Sequence, residues 1–525
     1  MLDLKIKEAT IYDGRGGAPY TADVGILGER IAEIGDLSEA ASRDEIDADG
    51  LALLPGFIDP HTHSDALLFR DRQRAGALCQ GITTEFTGAC GLGLIPLPPE
   101  WLHEYEKYSR GVLGSLPKGI DFHSVGDFIG QLDQMGLNVG VQIPHSPVRL
   151  SVTGFLDVPL KGYALDRAKE IVRQGFEEGA MSFTTGLSYY PASYGDTEEV
   201  AELCKVAAQY DAPMCIHTRT VLREPDPDFD PREEALEIAR RSGVRLHFSH
   251  YRTNPRNAGN VEWIFDPIER GLREGLRVTA EFYPYDAGSG YGPYFLPLWS
   301  VEGGLQAIIR RLQDPEDRRR IEAYFQDTIH PAYHGVFTHL PRNPQYIGLS
   351  FEEVALARGQ TVPCMLCDLM LDEELEVGYH GTPCEDTAIL EQLDRDFVTF
   401  IQKPYYMVGS DTLPGQMRPH PRSYGSFAKM LRLARQLGLP LELLANRLSY
   451  LPARTFHLRD RGEIARGKFA DLVLLDPNRA GDTASYRNPI SLPVGILHVV
   501  VNGRMAVRDE RITGIMAGRS LNRRL

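Results

Sequence analysis

The stretch Pro55-Gly56-Phe57-Ile58-Asp59-Pro60-His61-Thr62-His63 decides how the rest of this chain is interpreted. A mostly apolar run ends here in two histidines that are separated by one residue. Alternate residues of a strand point to the same side, so both imidazoles can leave a strand end on one face. Histidine is the commonest metal ligand among side chains. The stretch therefore predicts a strand whose carboxyl end offers two ligands to one metal ion.

The composition narrows the class of protein. The chain has 525 residues, 42% of them hydrophobic, which is enough for a substantial core, and its net charge is −16. This negative charge argues against nucleic acids and anionic membranes as partners, and it says little about a functional site, where the local charge decides. The seven cysteines are sparse and odd in number, which argues against a disulfide framework. With no apolar run of about 18 residues and a strand-like N-terminus, a cytoplasmic protein is expected, and its oligomeric state stays open.

The middle of the chain, residues 56–450, alternates strand-like apolar runs with helical stretches. The runs that show this rhythm most clearly are Val139–Ile143, Met181–Thr185, Pro213–Thr218, Val244–Ser249 and Arg277–Tyr283. Repeated strand–helix units predict a parallel sheet, and their number favours an α/β fold built on a (β/α)8 TIM-like barrel. The rhythm breaks from about 288 to 348, which predicts an inserted, lid-like segment.

The two ends of the chain have a different texture. Residues 1–55 and 451–525 consist of short alternating or apolar runs separated by turns, such as Leu4–Ile11 and Leu497–Val501. Asn502-Gly503 directly after the second run is a strong hairpin signal. Both ends together are predicted to form one small β-sandwich domain beside the catalytic barrel.

Metal-competent side chains follow successive apolar segments, where a barrel carries its chemistry. They are His61, His63, Cys90, His217, His250 and Asp411. Taken singly, a strand-end histidine is often a hydrogen-bonded structural residue, and a free cysteine is often a small buried hydrophobe. Their joint occurrence at predicted strand ends favours a metal site. His247 lies at an odd offset from His250 and is interpreted as structural, as is the pair Cys364 and Cys367.

These features resemble the amidohydrolase superfamily and, within it, the D-aminoacylases (N-acyl-D-amino-acid deacylases). The resemblance covers nearly the whole chain. It is carried by Pro55–Asp65, Gly81–Thr84 through Cys90-Gly91, Glu178–Ser182, Gly186–Pro191, Ser249-His250, Tyr283–Tyr285, Gly409–Asp411, Pro419–Arg422 and Gly467–Asp476. The chain differs from the family's common pattern at Tyr251-Arg252, where His-Lys is usual, at Ser64, where aspartate is usual, and at Thr412, where glycine is usual.

The resemblance implies a barrel of the metal-dependent amidohydrolase type that holds Zn2+. Cys90, His217 and His250 would bind one zinc tightly. His61 and His63 would form a second, weaker position, with Cys90 able to bridge the two. A bridging thiolate would replace the carboxylated lysine of many amidohydrolases, and no lysine occurs between Lys118 and Lys161, where the fourth strand is expected. Asp411 would contact the metal and act as the general acid/base.

The resemblance also points to residues that would bind the substrate's α-carboxylate: Arg252, Tyr283, Ser289 and Arg422. The planar fork of arginine suits bidentate pairing with a carboxylate. No arginine occurs between Arg277 and Arg310, so neutral or hydrophobic substrate side chains are expected. Arg219 and His145 also resemble family positions, without an assigned role.

The function expected from the sequence is zinc-dependent hydrolysis of N-acyl-D-amino acids to a carboxylate and a free D-amino acid. Two alternatives stay open. The chain could be another amidohydrolase that acts on a dipeptide, a cyclic imide or an N-formyl amide. It could also be a non-catalytic scaffold, a class for which missing metal ligands would be expected.

Overall fold

A ring of parallel strands forms the centre of the computed structural model, which describes residues 1–220, 222, 226–328 and 334–523. In chain order the barrel strands are Phe57–Asp59, Ile82–Thr87, Asn138–Val141 continued by Ile143–Pro144, Phe183–Gly186, Pro213–His217, Arg245–Phe248, Val278–Phe282 and Tyr406–Val408. Successive strands pair in parallel, the last with the seventh. The ring closes where the amide of Asp411 donates to the carbonyl of His61 at 2.9 Å. The predicted (β/α)8 barrel is confirmed.

Helices follow the strands and cover the outside of the ring. They are Ala75–Leu78, Pro99–Leu113, Val125–Gly130, His145–Thr153, Tyr163–Glu178, Thr197–Gln209, Pro231–Ser242, Val261–Arg273, Thr387–Gln402, Arg422–Leu437, Leu441–Ala445 and Leu451–Thr455. Local signals explain where they begin: the carboxylates of Asp196 and Asp230 accept hydrogen bonds from the first turns of their helices. Helix Val261–Arg273, for example, buries Ile264, Phe265 and Ile268 and packs against strand Val278–Phe282.

The fourth barrel strand does not lie between Lys118 and Lys161, where the sequence predicted it. That segment contains the third barrel strand, Asn138–Val141 with Ile143–Pro144, and the fourth strand is Phe183–Gly186. The difference arises because the chain between the second and third strands forms helices Pro99–Leu113 and Val125–Gly130 and adds no strand to the ring. The fourth strand, Phe-Thr-Thr-Gly, also contains no lysine.

Both chain ends contribute to one further sheet of nine strands. Its strands are Leu4–Ile11, Tyr20–Leu27, Arg30–Gly35, Glu45–Asp47, Ala52–Pro55, Leu472–Leu475, Ile496–Val501, Arg504–Arg508 and Arg511–Ile512. Ala52–Pro55 joins the two ends, because it pairs in parallel with Leu4–Ile11 and antiparallel with Leu472–Leu475. Hydrogen bonds therefore link all nine strands into one continuous sheet. Its own apolar core includes Ile6, Ile26 and Leu472.

An inserted unit separates the seventh and eighth barrel strands. A three-stranded antiparallel sheet of Ser289–Tyr291, Gly378–Gly381 and Gly335–His339 forms its base. Its helices are Leu298–Val301, Gly304–Gln313, Pro315–Thr328, Phe351–Arg358 and Val362–Asp372. The unit extends past the predicted end at 348, because its middle strand comes from 378–381. Residues 329–333 of the predicted lid-like segment lie outside the described residues.

The length and polarity of the described helices bear on whether any of them could span a membrane. No single helix among them is long and apolar enough to cross a membrane. The bent pair Phe351–Arg358 and Val362–Asp372, whose axes meet at 86°, passes that test on length and composition only.

Candidate metal centre and substrate pocket

The six side chains predicted as metal ligands converge at the carboxyl end of the barrel. Sγ of Cys90 lies 3.3 Å from Nε2 of His61, 3.4 Å from Nε2 of His250 and 4.0 Å from Nδ1 of His217. Oδ1 of Asp411 lies 3.4 Å from Nε2 of both His61 and His63. Among the described residues, two groups of potential metal ligands result. One consists of Cys90, His61 and His250, and the other of His61, His63 and Asp411, so the two groups share His61.

The group of Cys90, His61 and His250 suits zinc in both chemistry and spacing. Zinc prefers sulfur and nitrogen donors, and donors about 2.0–2.3 Å from a tetrahedral ion lie about 3.3–3.6 Å from one another. The distances from Cys90 to His61 and His250 fall in that range. Nδ1 of His217 lies outside it, 4.0 Å from Cys90 and 2.8 Å from Nε2 of His250. Burial lowers the pKa of His217 to about 4 and that of His250 well below its ordinary value. Both imidazoles are therefore neutral near pH 7, the form that binds a metal.

Cys90 itself is buried, and its thiol would be unreactive without a metal. Burial raises the pKa of the Cys90 thiol above its ordinary value, and the neighbouring His61 offsets only part of this rise. A bound metal cation converts such a thiol to the thiolate. The donor set at this position therefore fits a zinc ion.

Three of these residues have left-handed backbone conformations that non-glycine residues seldom adopt. The φ angles are 54° at Cys90, 39° at His250 and 50° at Asp411. Each residue lies in the turn that follows a barrel strand, and this backbone directs its side chain toward the shared centre. Such conformations cost of order 1–3 kcal/mol each and persist where the surrounding structure fixes them, often at functional sites.

Glu281 forms hydrogen bonds to two of the residues predicted as metal ligands, and it was not predicted from the sequence. Its Oε1 accepts a hydrogen bond from Nδ1 of His61 at 2.6 Å and another from the amide of His250 at 2.7 Å. The first bond fixes the His61 tautomer, so that the Nε2 lone pair faces Cys90 and Asp411. The signal in the sequence was a single carboxylate within the otherwise uncharged strand Val278–Phe282.

Two buried aspartates hold the strand ends that carry the ligands. Asp59 accepts from the amide of Ser410 at 2.9 Å and from that of His61 at 3.2 Å, which ties the first strand to the eighth. Asp65 accepts from the Thr87 hydroxyl at 2.5 Å and so anchors the turn before Cys90. Burial raises the pKa of Asp59 to about 7 and that of Asp65 to about 6.

The residues predicted to bind the substrate carboxylate lie beside Asp411. The guanidinium carbon of Arg252 lies 4.3 Å from the centroid of the Tyr283 ring, and that of Arg422 lies 4.5 Å from it. Nη1 of Arg422 forms an ion pair with Oδ2 of Asp411 at 2.7 Å. Ser289 lies in the first strand of the inserted sheet, where its hydroxyl donates to the carbonyl of Tyr379 at 2.8 Å.

The buried guanidinium of Arg422 has unused hydrogen-bonding capacity. Within the described part of the chain, none of its three nitrogens has a hydrogen-bond partner, and the contact with Asp411 is an ion pair only. Nε of Arg252 is likewise buried without a partner there. Because buried hydrogen-bond donors without a partner are costly, these nitrogens point to an anionic ligand that binds between them.

Aromatic side chains of the inserted unit approach the metal centre through Tyr189. Tyr189 lies between them, with its hydroxyl 3.3 Å from Nδ1 of His217. Its ring centroid lies 5.4 Å from that of Tyr294 and 6.3 Å from that of Tyr291. The inserted unit therefore contributes an aromatic wall on the His217 side of the site.

Three further sequence candidates take part in structural networks outside this centre. Arg219 pairs with Glu234 at 3.0 Å and donates to two backbone carbonyls. His145 lies between the Thr185 hydroxyl and the Glu199 carboxylate, each at 2.9 Å. His247 bonds the Thr279 hydroxyl at 2.8 Å, in agreement with its structural interpretation.

Comparison with known proteins identifies relatives of this chain among the amidohydrolases. A family model described as "Amidohydrolase family" matches residues 44–114. A D-aminoacylase of Alcaligenes xylosoxydans xylosoxydans is 30% identical over 99% of this chain and 98% of its own length. An N-acyl-D-glutamate deacylase of the same organism is 32% identical over 99% of this chain and 97% of its own length.

A solved structure agrees with these relatives. The N-acyl-D-glutamate deacylase of Bordetella bronchiseptica, complexed with zinc and a phosphonate inhibitor, superimposes with a TM-score of 0.82. It is 28% identical to this chain, and the match covers 99% of each chain. The family and the hydrolase class predicted from the sequence are confirmed: the chain belongs to the D-aminoacylase family of amidohydrolases.

Proposed function

We propose that this protein hydrolyses the amide bond of N-acyl-D-amino acids with zinc as cofactor, releasing a carboxylate and a free D-amino acid. One observation carries the proposal: the Asp411 carboxylate contacts both halves of the site. Oδ1 faces His61 and His63, and Oδ2 faces Arg422. In an N-acyl amino acid the scissile carbonyl and the α-carboxylate are likewise separated by only the amide nitrogen and Cα.

The proposed metal ligands divide into a tight and a weaker position. Cys90, His217 and His250 would hold the first zinc, and His61 and His63 would complete the second, with Asp411 beside them. When bound, zinc polarises the amide carbonyl and provides a water nucleophile at neutral pH. The zinc complex of the Bordetella bronchiseptica deacylase supports zinc as the metal.

Asp411 would move the proton during the reaction. Burial alone would raise the pKa of Asp411, but its charged and hydrogen-bonding neighbours, the Arg422 guanidinium first among them, hold it well below its ordinary value. The group is therefore a carboxylate at neutral pH, able to accept a proton from the attacking water at Oδ1. It would then donate that proton to the amide nitrogen, which is otherwise too basic to leave.

Arg252 and Arg422 would bind the α-carboxylate on either side of Tyr283. Their unpaired buried nitrogens support this role, and Tyr283 keeps both planes in place by stacking. Ser289 would add a hydroxyl from the inserted sheet. The carboxylate would thereby hold the scissile amide beside Cys90 and Asp411.

Neutral or hydrophobic substrate side chains remain the proposed preference. Tyr291, Tyr294 and Phe295 of the inserted unit supply apolar surface near Tyr189, and no arginine lies between Arg277 and Arg310. A relative named for N-acyl-D-glutamate has similar identity, so the acidic substrate is the necessary comparison.

A substrate panel tests the proposed activity. Zinc-loaded protein is assayed with N-acetyl-D-methionine, N-acetyl-L-methionine, N-acetyl-D-glutamate and dihydrouracil. The proposal expects hydrolysis of the D-methionine derivative, with the L-enantiomer, the glutamate derivative and the cyclic amide much slower. Hydrolysis of dihydrouracil alone, or of the L-enantiomer at an equal rate, would overturn it in favour of another amidohydrolase activity.

The non-catalytic alternative and the location in the cell need separate tests. A scaffold would be expected to lack metal ligands, whereas all six predicted side chains are present and converge. We also propose a cytoplasmic location, supported by seven cysteines that are all free. Fractionation of cells followed by immunodetection tests this location, and recovery outside the cytoplasm would contradict it.

A further inference from the structure

A tyrosine far along the chain from the barrel strands is linked through intermediate residues to the predicted carboxylate-binding arginines. Tyr486 lies in the loop between strands Leu472–Leu475 and Ile496–Val501 of the terminal sheet. Reciprocal backbone hydrogen bonds of 3.1 Å and 3.0 Å between Gly481 and Val494 close this loop at its base. Arg432, on the helix that begins at Arg422, anchors the loop by its ion pair of 2.6 Å with Asp482.

The hydroxyl of Tyr486 connects two loops of the barrel mouth. It donates to Oδ1 of Asp286 at 2.9 Å and accepts from the amide of Ala287 at 3.3 Å, both in the loop after the seventh strand. It also lies 3.1 Å from Nε2 of His420, in the loop after the eighth strand. A hydroxyl has one proton and two lone pairs, so these three bonds use all of its capacity.

The direction of the His420 bond follows from its other nitrogen. Nδ1 of His420 accepts from the backbone amide of Arg422 at 3.1 Å, so it carries no proton. The proton of the neutral ring is then on Nε2, which donates to Tyr486. Arg422 is therefore linked through His420 to the hydroxyl of Tyr486.

Arg252 is linked to the same hydroxyl from the other side. Its Nη2 donates to the carbonyl of Ala287 at 3.4 Å, and the amide of Ala287 bonds Tyr486. Asp286 is held in addition by the amide of Cys384 at 2.6 Å. The hydroxyl thus stands between the supports of the two arginines that flank Tyr283.

We propose that Tyr486 is a positioning residue that sets the spacing of Arg252 and Arg422 and so strengthens binding of the substrate's α-carboxylate. The inference rests on the proposed function, in which these arginines bind that group. It assigns a role to the terminal sheet: the loop between two of its strands supports the substrate pocket. Tyr486 touches neither the metal-binding side chains nor Asp411, so its contribution should be confined to substrate binding.

The variant Tyr486→Phe tests the inference by removing only the hydroxyl. Its KM for N-acetyl-D-methionine should rise about tenfold, the effect of losing a well-placed hydrogen bond. Its kcat should stay within about twofold of the wild-type value, because the metal centre and Asp411 are unchanged. Zinc content per chain should also be unchanged. The neutral analogue N-acetyl-D-methioninamide, used as a competing inhibitor, should bind both proteins equally.

Tyr405→Phe is the matched control. The Tyr405 hydroxyl also donates to a carboxylate, Glu269, at 2.9 Å, but directly before the eighth strand rather than at the barrel mouth. Its KM and kcat should match the wild-type values. If Tyr486→Phe does not fold, Asp286→Asn can be used instead. It changes the carboxylate that accepts the Tyr486 hydrogen bond and should raise KM in the same way.

The outcomes separate the two proposals. If wild-type protein hydrolyses no N-acyl-D-amino acid, the proposed function fails. If it does so and the KM of Tyr486→Phe stays within about twofold, only the role of Tyr486 is overturned. A parallel fall of kcat and zinc content would also overturn it, because that result indicates a general structural role.

Discussion

Nη1 of Arg422 lies 2.7 Å from Oδ2 of Asp411. The same carboxylate presents its other oxygen to His61 and His63, so one side chain joins the predicted carboxylate pocket to the predicted metal centre. Asp411, the proposed acid/base group, therefore lies between the predicted metal ligands and the arginine predicted to bind the substrate. Each part can therefore be removed separately, with a different measurement for each.

Asp411→Asn removes the proton carrier and keeps the shape of the side chain. Turnover should fall by roughly 10² or more, because general acid/base catalysis typically contributes 10²–10⁴. Zinc bound by Cys90, His217 and His250 should stay near one ion per chain, about the amount that a single site holds. Steady-state kinetics and metal analysis on the same preparation measure both effects. Substantial residual turnover would reject the role of Asp411.

Cys90→Ala removes the sulfur donor of the candidate metal centre. Zinc content should fall well below that of the wild-type protein, and hydrolysis should fall with it, because two imidazoles alone bind zinc weakly. Cys204→Ala is the matched control. Cys204 is buried on helix Thr197–Gln209, against Met214, and its loss should leave zinc unchanged. Full zinc occupancy in Cys90→Ala would show that Cys90 is not a ligand.

Glu281→Gln tests the support beneath the metal centre. The amide oxygen of glutamine can still accept one or both hydrogen bonds, but the negative charge that orients His61 is lost. Groups that orient metal ligands typically contribute 10–100-fold to metal affinity, so zinc should be lost to a chelator at about that much lower chelator concentration. Glu199→Gln, which also removes a buried carboxylate bonded to a histidine, is the control. Equal chelator resistance of the two variants would contradict the assignment.

His247 should make the protein less stable in acid. Burial lowers its pKa to about 3 from an ordinary value of 6.5, so the folded state holds the neutral ring. Between those values the unfolded chain binds a proton that the folded chain does not. Stability from this site is therefore present above pH 6.5 and is lost as pH falls toward 3, by about 2 kcal/mol between pH 7 and pH 5.

His247→Gln removes this titration and can keep a hydrogen bond to Thr279. Urea unfolding midpoints of both proteins at pH 7 and pH 5 measure the difference. The variant should lose less stability than the wild-type protein over this interval, whatever the variant's stability at pH 7. Equal losses would show that His247 can be protonated within the folded protein.

The sequence was most informative where local pattern and chemistry coincide. The His61/His63 pair, the helix Pro231–Ser242 and strands such as Pro213–His217 carry their signals within a few residues, and the barrel follows from their repetition. The inserted sheet was less predictable, because its middle strand, Gly378–Gly381, lies far along the chain from both partners. No local pattern marks such a pairing.

The residues missed in the site share one property: each acts through a distant partner. Glu281 lies 220 positions from His61, and Tyr486 lies 66 positions from His420. Neither belongs to a short motif, and their roles depend on the closed barrel and on the loop of the terminal sheet. The left-handed backbone at Cys90, His250 and Asp411 is equally invisible in the sequence, because side-chain type alone does not specify φ.

The most direct test of the central claim is a zinc titration of metal-free protein with N-acetyl-D-methionine and its L-enantiomer as separate substrates. The account predicts no hydrolysis without metal, and hydrolysis of the D-enantiomer that rises with zinc until the tight site is filled. The L-enantiomer should stay close to background throughout. Metal-free activity equal to that of the loaded protein, or equal rates for the two enantiomers, would contradict the account.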